Sequence, residues 1–511
     1  MYPGKWAAIA PERPAIIMTD SGDRLTYAEL EEQSARFATW LHEQGLRRGD
    51  TVALLATNSV EHYVVYWAVM RSGLYLTAIN FHLLPAEVSY ILKDCGAKIL
   101  VASADLADLA TEALAQAPAV QKALAYKGSI EGFEDLHAVI AASENDPPAD
   151  DRAGRTMLYS SGTTGRPKGV RHPLSEESVK TDGDGSLKNL SPIYGFDENT
   201  RYLSPAPLYH AAPLRYTAQI QVQGGTVYAM PKFDAEEALR LIDEHKITHS
   251  QWVPTMFVRM LKLDPDVRAK YDVSSMQTAI HAAAPCPVDV KRAMIDWWGP
   301  VIWEYYAGSE SNGSALINTE QWLAKPGSVG KAAVGVLHVC DEDGNELPPG
   351  EVGKVYFEQQ SGMPFEYYGD PEKTAASRHP QHANWSAIGD LGYLDEDGYL
   401  FLAERQSFVI ISGGVNIYPQ EVEDAITMHP LVQDVAVIGV NHPEMGEEVK
   451  AVVQLAPGVP ATEETREQLM EHLRGQLAKY KLPRSIDFVD ELPRTPTGKL
   501  RKHQIRATYE S

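Results

Sequence analysis

Glycines, hydroxyls and cations crowd together in Tyr159-Ser160-Ser161-Gly162-Thr163-Thr164-Gly165-Arg166-Pro167-Lys168-Gly169-Val170. Glycine allows φ > 0 and lets a ligand approach the backbone closely. Such a loop can aim several N–H groups at one anion, with hydroxyls and the Lys168 ammonium beside them. The chemistry this suggests is the holding of a nucleotide's phosphates. No Gly-Lys-Ser/Thr closes the stretch, so it is not a Walker A loop; a surface turn is the plainer alternative. Further along, Tyr306-Ala307-Gly308-Ser309-Glu310 sets an aromatic ring, small residues, a hydroxyl and a carboxylate in one run. These could stack a base and ligate Mg²⁺, or form a core strand that ends in a solvated glutamate. Asp390 precedes a turn and could accept from a ribose diol, or simply close the turn. Lys499, in Pro496-Thr497-Gly498-Lys499, reads as the tip of an exposed loop, with a merely solvated basic tail as the alternative.

Composition narrows the ligand. A chain of 511 residues fits two or three domains, and 44% hydrophobic residues can build a large core. The net charge of −23 disfavours nucleic acid and anionic membrane surfaces, which need clustered Lys and Arg. A phosphate ligand therefore needs a local cationic site, which gives weight to Lys168. Cys95, Cys286 and Cys340 lie far apart without metal-ligand spacing. They read as small buried residues in a reducing, cytoplasmic setting. Residues 1–13 lack the apolar core of a signal peptide, and no apolar run is long enough to span a membrane.

The positioning elements are legible in order. Thr26 with Glu29 reads as a capping box opening a helix that carries Leu30, Phe37 and Leu41 on one face. Strands are expected at Thr51–Leu55, Tyr75–Ile79 and Ile99–Val101, with a helix over His62–Met70; His62 and His82 read as structural. A strand over Thr156–Tyr159 runs into the opening loop. The polar stretch from Ser175 to Asn199 reads as a long mobile excursion. Strands at Tyr202–Ser204, Gly225–Tyr228 and Thr248–Val253 and a helix over Ala235–Glu244 repeat the alternation. Such alternation predicts an α/β fold with mostly parallel sheets. Ala282, Ala283 and Ala284 follow another strand and leave room for a flat ligand at its C-terminal end. Val334–Gln359 reads as an antiparallel, barrel-like unit, followed by a hairpin turning on Asp397-Gly398. After Arg405 comes a small α+β domain with a Gly-rich turn at Ser412-Gly413-Gly414 and an amphipathic helix over Glu463–Leu477.

Together, Leu25–Leu30, Tyr159–Val170, Tyr306–Glu310, Gly389-Asp390, Arg405, Ser412–Gly414 and Pro496–Lys499 resemble the adenylate-forming superfamily, in order and over nearly the whole chain. The resemblance implies a large domain over residues 1–404, a hinge at 405–407 and a small mobile domain over 408–511. It implies an acid activated by MgATP to an acyl-adenylate and then transferred to a thiol. Ser160, Ser161, Gly162, Thr163, Thr164, Gly165 and Lys168 would hold the phosphates. Ala283, Ala284 and Tyr306 would take adenine, and Asp390 and Arg405 the ribose. Glu310 and Thr163 would ligate Mg²⁺, Ser309 would touch the α-phosphate, and Lys499 would serve the reacting centre. Ser412, Gly413 and Gly414 would join a pantetheine tunnel after the small domain rotates.

The chain departs from the family pattern in several places. Ser407 stands at the hinge, where Asp or Lys is usual. Glu404 replaces an Asp, Ile388 a Thr, Gly308 a larger residue, and Ala282 and Ala307 replace glycines. No carboxylate lies near Pro207-Leu208-Tyr209-His210 to pair a substrate ammonium, and an unpaired buried ammonium is costly. The resemblance therefore implies an acyl-CoA synthetase for a fatty or related apolar acid, with free CoA as the thiol. An aryl or hydroxycinnamate ligase and a non-turning-over adenylate binder are the alternatives. Tyr209, His210, Thr255, Met256, Ala282 and Ala307 are the expected acyl-pocket residues, though core packing serves Thr255 and Met256 equally well. A homodimer through the large domain is expected.

Overall fold

Thr51–Leu55 and Tyr75–Ile79 are apolar or β-branched at nearly every position instead of every second one. Such strands belong inside parallel sheets covered on both faces. In the computed structural model both are buried throughout and pair in parallel. The structure describes residues 2–160, 167–181, 190–360, 365–495 and 498–509. The chain forms two compact units: residues 1–251, 269–278 and 364–375 make one, and residues 252–268, 279–363 and 376–511 the other.

In the first unit, a parallel sheet runs in the order Glu134–Asp135, Lys122–Tyr126, Ala97–Ser103, Thr51–Leu55, Tyr75–Ile79 and Arg155–Thr156. Val88, Ile91 and Leu92 of the helix Pro85–Asp94, with Ala110 and Ala113 of the helix Ala107–Ala115, pack over Leu55, Leu100 and Ala102. A second set of strands orders Arg24–Thr26, Pro14–Met18, Thr226–Ala229 and Arg201–Ser204, with only the first pair antiparallel. The expected capping box is present: Thr26 N–H donates to Glu29 Oε2 at 2.8 Å, and Glu29 N–H donates to Thr26 Oγ1 at 3.2 Å. It opens the helix Tyr27–Glu43, which buries Leu30, Phe37 and Leu41.

Parts of the polar stretch are structured and held from elsewhere in the chain. Residues 182–189 lie outside the described residues, but Leu190–Tyr194 is helical. Arg48 Nη2 donates to Ser175 O at 2.7 Å, and Arg152 Nη1 donates to Glu176 Oε2 at 2.6 Å. Two arginines distant in sequence thus tether a segment whose own composition reads as loose.

In the second unit, Thr278–His281 pairs in parallel with Ile302–Ala307, which pairs antiparallel with Ser314–Asn318. Val336–Cys340, Gly353–Glu358, Asp390–Leu394 and Leu400–Arg405 form the expected antiparallel sheet. The C-terminal sheet centres on the long pair Val432–His442 and Gly446–Leu455, with Ser485–Val489 added in parallel. Its one face packs on the helices Pro419–Thr427 and Glu463–Arg474, its other on Leu492 and Ile505. Among the described residues, no helix is long and apolar enough to cross a membrane.

Candidate active site

The second unit places most of the expected groups. Parallel pairing of Ala279 with Ile302 and His281 with Glu304 brings the ends of two strands side by side. Beyond the first end, Ala283 takes φ +77° and Ala284 follows. A left-handed alanine costs about 1–2 kcal/mol, and such strain gathers at functional sites. It turns Ala283 outward while Ala282 stays buried. Lys291 Nζ meets Glu304 Oε2 at 2.6 Å, both buried, and His281 Nε2 lies 3.5 Å from the same oxygen. Burial keeps His281 neutral, and the Lys291 charge acts in the same direction.

Tyr306 lies one turn of strand beyond Glu304. Its hydroxyl donates to Asp390 Oδ2 at 2.7 Å, and its ring stacks on Phe357 at 6.0 Å. Burial, then the Asp390 charge, holds the Tyr306 hydroxyl protonated. Arg405 Nε lies 3.1 Å from Asp390 Oδ1, because Asp390 pairs with Arg405 across the antiparallel hairpin. Asp390 is therefore not an idle turn residue: both its oxygens already have partners, with lone pairs left for a ribose hydroxyl. The turn itself belongs to Asp395, which accepts from Asp397 N–H and Tyr399 N–H at 3.0 and 2.9 Å.

Gly308 and Ile388 explain each other. A Cβ on Gly308 would lie 2.6 Å from Ile388 Cδ1 and 2.7 Å from Glu310 Oε2. The larger Ile388 occupies the space that a larger residue at 308 would need. Ser311 takes φ +50° and donates its N–H to Gly308 O at 3.0 Å, closing a turn that exposes Ala307 and Ser309 and buries Glu310.

Lys499 departs from its expectation as an exposed tip: it is only partly accessible. Gly498 N–H donates to Thr495 O at 2.7 Å and Lys499 N–H to Thr495 Oγ1 at 3.0 Å, folding the loop on itself. Gly498 has φ +76°, and a Cβ there would collide with Thr255 Oγ1. The loop is packed rather than solvated because its glycine fits against the helix Pro254–Leu261. Burial, and then the Arg405 charge, bring the Lys499 ammonium down to about 8, against Asp390, Glu310 and Glu404. Those four groups are its electrostatic surroundings. Pro496 and Thr497 lie outside the described residues. Met256, on the same helix, is buried at 4% exposure, and Thr255 faces Gly498.

After Arg405, a short 3₁₀ turn covers Gln406–Phe408, with Ser407 exposed. Glu404 reaches Lys502 Nζ at 3.4 Å, and Lys502 also meets Glu423 at 2.9 Å. Gly413 and Gly414 take φ +58° and +78° and make the two-residue loop between Ile410–Ser412 and Val415–Ile417. That hairpin loop needs φ > 0 at both positions. Its flanks, Ile411 and Val415, are exposed.

The first unit holds the remaining candidates. Leu158–Ser160 pairs antiparallel with Lys168–Arg171, so the Gly-rich stretch is the connection of a hairpin. Ser161, Gly162, Thr163, Thr164 and Gly165, and the side chain of Ser160, lie outside the described residues. Lys168 Nζ meets Asp370 Oδ2 at 3.0 Å. His210 precedes the helix Ala211–Gln223, and its segment is pinned by Asn58, which accepts from Leu208 N–H at 2.9 Å. Burial lowers the His210 pKa to about 4, and His82 acts in the same direction. Phe81 meets Tyr209 edge-on at 5.3 Å. The Phe81 ring that meets Tyr209 also lies 4.4 Å from the His82 ring, so His82 neighbours this segment. Phe81 and His82 follow the strand Tyr75–Ile79, and α/β sheets bind ligands at such ends.

A tyrosine on a carboxylate, that carboxylate on an arginine, and a desolvated lysine acted on by their charges suit a nucleotide's ribose and α-phosphate. The sequence matches the AMP-binding enzyme family over residues 4–368 and its C-terminal domain over residues 421–499. The chain belongs to this family, in its acyl-CoA synthetase branch. It is 32% identical over 509 residues to the long-chain-fatty-acid–CoA ligase FadD13 of Mycobacterium tuberculosis, covering 99% of this chain and 97% of that one. It is 31% identical over 521 residues to a feruloyl-CoA synthase of Amycolatopsis sp, covering 99% and 98%. Among solved structures, the anthranilate CoA ligase AuaEII in complex with anthranoyl-AMP aligns with a TM-score of 0.85 at 25% identity, covering 99% and 96%.

Proposed function

We propose that this acyl-CoA synthetase activates a fatty or related apolar carboxylic acid. An oxygen of the acid attacks the α-phosphorus of ATP, the bond to the β-phosphate breaks, and pyrophosphate leaves. The thiolate of CoA then attacks the acyl carbonyl carbon, the acyl–oxygen bond breaks, and AMP leaves. What supports this reading is that Lys499 is desolvated and acted on by the charges of Arg405, Asp390 and Glu310. A partly desolvated cation there stabilises charge that grows on the phosphoryl oxygens during the first step. Its flexible stem suits a moving charge better than a rigid guanidinium fork. Asp390 and Arg405 orient the ribose, Tyr306 and the Ala283-Ala284 turn receive adenine, and Ser309 touches the α-phosphate. Lys168 leaves Asp370 to meet the outgoing pyrophosphate.

Glu310 offers one buried carboxylate. Among the described residues no group of three or more His, Cys, Asp or Glu could hold a metal. Mg²⁺ takes one or two carboxylates together with substrate phosphates, and Glu310 would supply one of them. Held by Glu310, it would neutralise charge on the phosphates of ATP.

Tyr209, His210 and Phe81 are apolar or neutral groups, and none can pair a substrate ammonium. This supports an acid without an α-amine. Pyrophosphate release and acyl-CoA formation across fatty, aryl and hydroxycinnamic acids test the reading. Acid-dependent release with stoichiometric acyl-CoA from fatty acids is expected. Release without acyl-CoA would overturn it, and a preference for hydroxycinnamates would replace the substrate class.

A further inference from the structure

Lys262 follows the helix Pro254–Leu261 and is assigned no role above. Its ammonium donates to Val432 O at 2.6 Å and to Gln433 O at 3.0 Å. These two carbonyls belong to a β-bulge: Val432 pairs with Leu455 and Asp434 with Gln454, leaving Gln433 as the extra residue. A bulge re-aims backbone groups out of the ladder and leaves them in need of a partner. Lys262 is that partner, and charge-assisted bonds of this kind are about twice as strong as neutral ones.

The bulge leads directly to Lys499. Asp434, the next residue, is held at both oxygens by Arg494, at 2.6 Å from Nε and 2.6 Å from Nη2. Arg494 Nη1 in turn donates to Gly498 O, the carbonyl joined to Lys499. The helix that Lys262 follows begins at Pro254, next to Thr255, against which Gly498 packs. One helix therefore grips the Lys499 segment at two points, directly at Gly498 and through the bulge, Asp434 and Arg494.

We infer that Lys262 is a positioning residue for the first half-reaction, clamping the bulge at Val432-Gln433 so that Lys499 is presented to the nucleotide. The inference rests on the two-step reading above. Burial of Lys262, which lowers its pKa to about 8 against the pull of Asp434, agrees with an ammonium held out of water by those carbonyls. The clamp has no work in the second half-reaction, when Lys499 is no longer needed.

The test uses the full-length Lys262→Met and Lys262→Arg variants and the acid giving the fastest pyrophosphate release. Lys262→Met keeps the apolar stem and removes both bonds. It should slow acid-dependent pyrophosphate release by about tenfold to a hundredfold through a smaller competent fraction, with the loss in kcat. Consumption of the isolated acyl-adenylate by CoA should stay within about twofold, and Lys262→Arg should restore part of the first step. Hydrogen exchange over residues 492–501 should quicken in Lys262→Met at an unchanged Tm. Equal loss in both half-reactions with a lowered Tm, or no loss in either, overturns the inference. If the wild-type chain releases pyrophosphate with no acid, the ligase reading fails, and unchanged exchange over residues 492–501 then overturns the clamp by itself.

Discussion

Gly498→Ala tests how closely the loop is fitted. The new methyl would stand inside contact distance of Thr255 Oγ1, with Thr255 Cβ at 3.1 Å and Cγ2 at 3.4 Å, at a backbone φ of +76°. Two costs follow. Holding alanine in the left-handed region costs about 1–2 kcal/mol. Restoring ordinary contact requires the loop to move by roughly 1 Å, and a displacement of that size at a reacting group can cost about a hundredfold in rate. Acid-dependent pyrophosphate release should therefore fall about hundredfold, while thioester formation from isolated acyl-adenylate changes much less. Thr255→Ala removes Oγ1 and Cγ2 and leaves only the atom at 3.1 Å. Adding it to Gly498→Ala should recover most of the steric loss and leave the backbone term. A double-mutant cycle measures this coupling, expected at about 1–3 kcal/mol. A Gly498→Ala enzyme as fast as wild type, or a double variant no faster than Gly498→Ala alone, would refute the fit between loop and helix.

Other outcomes follow from the same geometry. Ala283 sits at φ +77°, so Ala283→Val should lower stability in urea unfolding, because a β-branched residue tolerates positive φ less well than alanine, whereas Ala283→Gly should match or exceed wild type; the reverse ranking would contradict the strained turn. Gly308→Ala should destabilise by about 1–3 kcal/mol through overpacking against Ile388, and Ile388→Val should relieve it in equilibrium unfolding. Lys499 has its pKa lowered to about 8, so it is cationic below that pH and loses its charge above it. The kcat/KM for pyrophosphate release should fall as pH rises through about 8, while thioester formation from isolated adenylate shows no such limb. A first-step profile flat to pH 10 would contradict it.

The capping box at Thr26 and Glu29 and the doubly apolar strands Thr51–Leu55 and Tyr75–Ile79 were legible because their signals are local. So was the Gly413-Gly414 hairpin, whose loop demands left-handed residues. What stayed hidden depends on long-range packing. The sequence shows Lys499 on a Pro- and Gly-rich tail, which reads as exposed; only the fit of Gly498 against Thr255 makes it half-buried. Gly308 and Ile388 look like separate departures from a pattern until the structure shows them sharing one space. Lys262 binds backbone carbonyls at a bulge, so no residue type at the receiving end announces it. Nor does the sequence show that Phe81 brings Tyr209, from another part of the chain, next to His82.

If Lys499 stabilises the first chemical step, its removal separates the two half-reactions. Acid-dependent pyrophosphate release is measured for wild type and Lys499→Ala, beside CoA-dependent consumption of isolated acyl-adenylate by both. A loss of about 10²–10³-fold is expected in the first measurement, the scale of removing one main electrostatic group, with the second nearly unchanged. Near-normal pyrophosphate release by Lys499→Ala, or an equal loss in both half-reactions, would contradict it.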